Sequence, residues 1–392
     1  MGDPVKLKPP SAEQPAGGVG AALLKAAAVL VFLYIFLTGI KGLGDGFKSL
    51  GSEVLDVFFT STSNPLIGLM VGILATTLMQ SSSVTTSLIV GLVAAPDNPL
   101  PIANAVPMIM GANIGTTVTN TIVSLAHMGR RDEFVRAFSI ATCHDFFNFM
   151  TVAVLLPLEL ATGFLTKTAT YLATSLRGVG GIEYESPLKN SLEFALKPVK
   201  GLIHLLTQSE RAQAVLLILV SGVLIVTALL LVVRVLRSLV QTKVEVYITK
   251  ALGSGVALGV VIGMIATVAV QSSSITTSLL VPLGGAGVIT LRQAFPITVG
   301  ANIGTTVTAL LATMAVSGEN ANAGLIIALV HLLFNLIGTL AILPFPRIRE
   351  IPLILARRLA LVAVESRKWA VLYVMLLFYG VPAILAFLNR VL

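Results

Sequence analysis

Gln80-Ser81-Ser82-Ser83-Val84-Thr85-Thr86-Ser87 is the stretch on which the fold turns. It places six hydroxyls and one amide in eight residues, inside strongly apolar sequence. The pattern returns as Gln271-Ser272-Ser273-Ser274-Ile275-Thr276-Thr277-Ser278. Unsatisfied polar groups in hydrocarbon cost several kcal/mol each, so a lipid-facing helix does not carry such a cluster. It belongs where backbone and hydroxyls meet a ligand, an ion or water.

The surroundings are those of a membrane. Of 392 residues, 11% are charged, against about 25% in a soluble domain. Mean hydropathy is +0.93. The fold class is therefore an all-α polytopic membrane protein. Residues 21–40 and 215–233 are long enough to span. The net charge of +8 is not a nucleic-acid footprint, because Lys and Arg gather in a few short loops. Cys143 is the sole cysteine, which excludes an intrachain disulfide and implies no redox or transition-metal framework. Residues 1–20 are rich in Pro, Gly and Ala and read as a disordered tail. They lack a secretory cleavage site, so the first apolar run reads as a retained helix.

Around the octet the apolar run from Pro65 to Met79 is too short to cross. It would be about 24 Å of helix against a hydrocarbon core of ~30 Å. Apolar sequence resumes after the octet and stops at Ala95-Pro96. Two short halves meeting at a polar tip predict a re-entrant hairpin around 64–96, and its copy around 255–287. Residues 41–59 read as a loop plus an amphipathic helix. Gly111-Ala112-Asn113-Ile114-Gly115-Thr116-Thr117 reads as the unwound middle of a broken helix. Residues 138–160 predict a span carrying His144, Asp145 and Asn148.

The second half re-runs the first. Gln80 answers to Gln271, Asn113 to Asn302, His144 to His331, Asn148 to Asn335 and Pro157 to Pro344, at a nearly constant offset. The expected layout is a tail (1–20), repeat 1 (21–165), an extracytoplasmic linker (166–210), repeat 2 (211–350), and an amphipathic segment with a C-terminal span (351–392). Arg130, Arg131 and Arg136 place their loop inside, as Arg234, Arg237, Lys243 and Lys250 do theirs. The counterpart of the Arg130 loop in repeat 2 has no Lys or Arg. Each repeat then crosses an odd number of times, and the two are inverted, with the N-terminus cytoplasmic.

Inverted repeats with broken helices are a transporter architecture with a midplane site. The half-helix after each tip offers free N–H groups and a positive dipole end. Ser81, Ser82, Ser83, Ser272, Ser273 and Ser274 add hydroxyl donors. This suits a compact oxyanion such as phosphate or sulfate, held without a buried Arg or Lys. The remaining groups are neutral oxygens: Gln80, Gln271, Thr85, Thr277, Asn113, Asn302, Thr116 and Thr305. Hard cations take oxygen ligands, and Na⁺ in such a cage would offset the anion's charge.

Ser and Thr in membrane helices often serve only interhelical hydrogen bonds; duplication of the whole octet favours the ligand role. His144 and His331 read as structural hydrogen-bonding residues. Asp145 is an intramembrane carboxylate and so a functional candidate, although repeat 2 has Leu332 at that place. No nucleophile–base pair or metal cluster accompanies the serines, so an enzyme is not expected. Rival readings are a sodium- or proton-coupled symporter of another small anion (sulfate, a dicarboxylate), a channel-like pore and a non-transporting receptor.

Two Gln-Ser-Ser-Ser clusters, each followed by Gly-Ala-Asn-Ile-Gly-Thr-Thr, together with His144-Asp145-Phe146-Phe147-Asn148, resemble the type II sodium-dependent phosphate cotransporters. The resemblance runs from roughly residue 30 to 346. It implies Na⁺-driven symport of inorganic phosphate by alternating access, with no organic cofactor. On matching positions it implies phosphate contacts from Ser82, Ser83, Ser273 and Ser274. It implies sodium placement by Gln80, Gln271, Asn113, Thr116, Thr117, Asn302 and Thr305. Partners are then phosphate, sodium ions and the lipid bilayer, with a homodimer a possible assembly. Electrogenic members resemble one another in an Asp after a Gly in the loop following the first motif. Here the place reads Gly129-Arg130-Arg131-Asp132, so the sodium count is not set by the resemblance. The linker lacks the paired cysteines of animal members, which suggests a bacterial homologue in an inner membrane.

Overall fold

The computed structural model describes residues 19–50, 62–96, 99–178, 189–251, 255–316 and 320–391, and within them every regular element is a helix. Most of the expected N-terminal tail lies outside the described residues. So do residues 51–59 of the expected amphipathic helix, positions 317–319, and the side chains of Arg237, Lys243 and Lys250.

The long α1 (Val19–Leu50) precedes a pair of short helices, α2 (Pro65–Met79) and α3 (Ser82–Val93). Then come α4 (Ile102–Gly115), α5 (Val118–Leu125) and the long α6 (Arg131–Thr162). α7 (Phe164–Gly178) and α8 (Lys189–Leu206) occupy the linker. A similar order follows: long α9 (Glu210–Ala251), short α10 (Val256–Val270) and α11 (Ser273–Gly285), then α12 (Leu291–Thr313) and α13 (Ala321–Ile342). α14 (Pro346–Glu365) leads into a terminal helix made of α15 (Arg367–Val374), a π-helical segment (Met375–Gly380) and α16 (Val381–Val391). Among the described residues six helices are long and apolar enough to cross a membrane: those within α1, α6, α9, α12, α13 and the terminal helix. The chain is an all-α polytopic membrane protein.

Glycine sets the packing. A β-carbon on Gly72 of α2 would collide with the Met108 carbonyl oxygen of α4, and one on Gly111 with that of Leu69. In the second half, Gly263 meets the Ile297 carbonyl and Gly300 that of Val260 in the same way. Without a hydrophobic drive between helices in lipid, close approach of small residues is what holds them. Gly111 and Gly300 belong to the Gly-Ala-Asn-Ile-Gly motif expected to unwind. The structure keeps the second copy helical throughout, whereas in the first the helix stops at Gly115 and turns at Thr116-Thr117 before the next begins. Thr116 and Thr117 stay in the right-handed region between α4 and α5, and α12 runs straight through its copy. Thr116 and Thr117 donate their hydroxyls to Ala112 O and Ile114 O, each at 2.9 Å, so the bend leaves those carbonyls satisfied.

The same physics lengthens α1 through residues 41–50, where a loop was expected. Gly39, Gly42 and Gly46 sit one turn apart and admit α9: added β-carbons would lie 2.8 Å from Ile225 Cγ1 and 2.7 Å from Ile218 Cγ1 at the two ends. α9 likewise continues to Ala251, through the expected basic loop. The linker is largely helical, its α7 and α8 burying Leu165, Ala169, Ala173, Leu192 and Leu196 on one stripe each. Glu159 anchors it, accepting from Leu165 N at 2.6 Å and from the Thr166 hydroxyl. Gly163, at φ +65°, makes the turn between α6 and α7.

Across the halves, α3 packs on α12 and α13, while α11 packs on α5 and α6. The second helix of each short pair thus leans on helices of the other half.

Candidate functional site

Both short helix pairs turn on a glutamine. Gln80 (φ 51°, ψ 25°) and Gln271 (φ 54°, ψ 30°) are the non-glycine residues with positive φ among those described. A left-handed residue bearing a β-carbon costs about 1–2 kcal/mol. The side-chain amides offset it. Gln80 Nε2 donates to Thr77 O at 2.5 Å and Gln271 Nε2 to Val268 O at 2.8 Å, closing carbonyls left free at each helix end.

The next residue starts the second helix. Ser81 and Ser272 share φ −155° and ψ 109°. Their hydroxyls cap Val84 N and Ile275 N, each at 3.3 Å. Ser82, Ser83, Ser273 and Ser274 then form the first turn, where backbone N–H groups have no intrahelical acceptor and the dipole is positive. Ser82, Ser83 and Ser273 are buried, so this donor array sits inside the protein.

The two elbows meet through α5. Thr119 Oγ1 donates to Gln80 Oε1 at 3.1 Å. Its chain neighbour Asn120 accepts, through Oδ1, from Thr277 at 2.9 Å and Ser278 at 3.1 Å. Consecutive Cα atoms are ~3.8 Å apart, so one α5 turn touches the first elbow and the start of α11. On the other side Thr308 of α12 donates to Gln271 Oε1 at 3.0 Å.

Beneath the elbows lies a buried amide lattice. His144 Nε2 meets Asn302 Oδ1 at 2.7 Å, and Asn302 Nδ2 donates to Asn148 Oδ1 at 3.0 Å. Asn148 Nδ2 donates to Asn113 O at 2.7 Å, and Asn335 Nδ2 to Asn113 Oδ1 at 3.0 Å. All five side chains are buried. They tie α4, α6, α12 and α13 together across both halves.

The expected site residues therefore fall into two groups. Gln80, Gln271 and the six serines gather at the elbows. Asn113 and Asn302 sit in the lattice below, bonded to the opposite half. Thr116 and Thr305 return their hydroxyls to their own helices, at Ala112 O and Ala301 O. Thr85 and Thr277 are not counterparts. Thr85 corresponds to Thr276, both donating to the carbonyl of the capping serine at 3.2 and 3.3 Å, while Thr277 faces Asn120. Sequence reasoning passed over Thr119, Asn120, Thr308, Asn148 and Asn335 as site groups. The last two already stood out as repeat markers, and Thr119 and Asn120 directly follow the first glycine-threonine motif.

Arg136 marks the inside by its charge and also caps α11, donating from Nη2 to Gly285 O at 2.6 Å and from Nε at 2.9 Å. That leaves the elbows without a fixed positive side chain of their own.

Two buried helix starts with free donors, bridged inside an apolar bundle, define a membrane carrier of small solutes. The sequence model of the Na+/Pi-cotransporter family matches residues 35–182 and 205–357, and the chain belongs to that family. It is 36% identical over 443 residues to sodium-dependent phosphate transport protein 2A of Rattus norvegicus, covering 96% of this chain and 69% of the relative. With the protein of that name from Ovis aries it shares 36% over 434 residues, 93% of this chain and 67% of the relative. With sodium-dependent phosphate transport protein 2B of Homo sapiens it shares 31% over 452 residues, 93% of this chain and 64% of the relative. No solved structure matches the chain.

Proposed function

We propose that the protein is a secondary active transporter that carries inorganic phosphate into the cell with sodium, by alternating access between two inverted repeats. The observation that carries this reading is the pair of elbows, alike in backbone to a few degrees, joined through Thr119 and Asn120. Phosphate is held by the first-turn N–H groups and hydroxyls of Ser82, Ser83, Ser273 and Ser274, with Ser81 and Ser272 shaping the turn. A tetrahedral oxyanion suits such donors, and a site without Arg or Lys releases its anion readily. Sodium is placed by oxygens of Gln80, Gln271, Thr85, Thr116, Thr117, Thr277 and Thr305. Asn113 and Asn302 complete the set and tie its floor to the opposite half.

Inversion is supported by the reciprocal packing of the second helix of each short pair on the other half. The basic residues near Arg130 and along α14 support a cytoplasmic position for those ends, with the linker outside. Short pairs that hang on the partner half can travel with the site, as sliding of a core against a scaffold requires.

The deciding experiment is ³²P-phosphate accumulation in proteoliposomes. Concentrative uptake with an inward Na⁺ gradient, and none with choline, is expected. Uptake driven equally by a proton gradient without Na⁺, or suppressed by sulfate as strongly as by phosphate, would overturn it.

A further inference from the structure

A cleft of about 430 Å³ lies between α6, the turn that joins α11 to α12, and α14. It shares no residue with the elbows or the amide lattice. Ligand pockets measure about 300–1,000 Å³, so it is large enough to hold a molecule. Its walls are apolar: Ile140, Ile289 and Leu353 are buried there, with Val135, Leu291 and Ile354 beside them. Its charged groups are Arg136, Arg292 and Arg357, against the single carboxylate of Glu350. Glu350 meets Arg292 at 3.1 Å. Arg136 is committed to the last carbonyls of α11. Arg357 is exposed and makes no ion pair with another described residue. The cleft is therefore an apolar slot with an excess of positive charge.

The helix that supplies Arg357 has two apolar faces. α14 turns Leu353, Ala356, Ala360 and Ala363 into the protein, while Ile351, Ile354, Leu361 and Val362 stay exposed. Between them it carries Arg347, Arg349, Arg357 and Arg358. Exposed aliphatic side chains mixed with basic ones are what a helix presents to the boundary of a bilayer. Ile354 belongs both to that outward stripe and to the cleft, so a lipid alongside α14 reaches the cleft without leaving the membrane. A free anion would use the arginines and not the walls, and a neutral apolar molecule the reverse. A phospholipid of negative charge uses both. Guanidinium groups hold phosphate oxygens in pairs, and basic pockets between membrane helices take anionic head groups. We propose that this cleft binds an anionic phospholipid, its phosphate on Arg357 and Arg292 and its first acyl carbons against Ile289, Leu353 and Ile354. The leaflet that supplies it is the inner one, which rests on the orientation proposed above.

The site belongs to one half. Arg136 lines the cleft while it holds the end of α11, the helix whose first turn is part of the second elbow. At the corresponding end of α3 the cap is the neutral Asn320, which donates to Ala95 O at 2.7 Å. A lipid in the cleft joins α14 to the start of α12 and to the turn that follows α11, and so steadies the end of the second short pair alone.

The test titrates the full-length protein in a neutral detergent with phosphatidylglycerol, at high sodium and inorganic phosphate throughout. Melting should rise with phosphatidylglycerol and stay level with phosphatidylcholine. Replacing both exposed arginines, Arg292→Ala with Arg357→Ala, should raise the half-saturating phosphatidylglycerol concentration roughly tenfold. Arg357→Lys should recover part of that loss, and Glu350→Gln, which removes the one acid, should lower the midpoint below wild type. Phosphatidylglycerol carrying a diazirine near the top of its acyl chain should label α14 or the turn after α11 in the wild-type protein, a readout that holds even if the double variant melts early. An equal rise with phosphatidylcholine, an unchanged midpoint in the double variant, or label confined to other helices would each overturn the proposal. So would a phosphatidylglycerol effect present only when inorganic phosphate is left out, since the cleft would then take the free anion. None of these readouts needs transport, so sodium-independent uptake would sink the transport reading and leave the lipid site to be judged by itself.

Discussion

The first and second elbows share a backbone and differ in their neighbours. Gln80 and Gln271 have the same left-handed turn, Ser81 and Ser272 the same cap, and Thr119 and Thr308 the same donation to the glutamine. Beyond that the halves part. Asn120 receives Thr277 and Ser278, but its counterpart Ala309 offers nothing, and Ser87 Oγ stays buried without a partner. Asp145 faces the terminal helix where Leu332 is apolar. The shared features are those of the proposed anion cradle; the unshared ones cluster on α5 and α6 of the first half. Duplication therefore supplies a pair of like turns, and divergence gives each its own neighbours.

If the halves share their scaffold, equal lesions should hurt equally. Gly72→Ala and Gly263→Ala each push a β-carbon into a backbone carbonyl that no rotamer change relieves. Each should cost about 3 kcal/mol of stability, read as a matching drop in thermal melting in detergent; one tolerant copy would break the equivalence. At the cradle, Ser83→Ala and Ser274→Ala should each raise the phosphate KM, by the roughly 1.5–3 kcal/mol that a hydrogen bond to a charged group contributes, with melting nearly unmoved. Wild-type KM in both would remove the serines from the site. The unshared contact sharpens the contrast. Asn120→Ala strands the Ser278 hydroxyl, while Thr277 keeps Ser273 O as acceptor; it should lower stability by about 1 kcal/mol, and slow uptake by loosening only the second elbow. Cysteine accessibility at residue 274 should rise in that variant and at residue 83 should not. The smallest effect is outside the comparison: Glu159→Gln weakens the anchor at the start of α7 and should cost about 1 kcal/mol in a melt, with transport kinetics preserved.

Several of these residues were legible before any coordinates. The octets announced themselves because polar density inside apolar sequence has few explanations, and they form the two elbows. Gly-Ala-Asn-Ile-Gly-Thr-Thr was legible as important, and the expected break appears only at Thr116-Thr117 of the first copy. Gly and Thr raise the odds of unwinding in isolation, but in lipid the same residues let helices touch and refill their own carbonyls. Gly42, Gly44 and Gly46 mislead in the same way, suggesting a loop inside α1. Thr85 and Thr277 look alike in sequence but occupy different places on their turns, and only Thr277 faces the other half. Asp145 stands out by its charge, but nothing local says that a tyrosine 228 residues later completes its surroundings.

Composition, the repeated octets and the spacing of charge determined by themselves that this chain lives in a membrane, that its motifs recur, and that it keeps two polar turns inside apolar sequence. Those are local properties: hydropathy and hydrogen-bonding demand are written residue by residue. Which asparagine holds which half, and that Tyr373 meets Asp145, were decided only by tertiary structure. Such facts depend on helices distant in sequence meeting at hydrogen-bond distance, and a periodic pattern contains no information about who stands opposite.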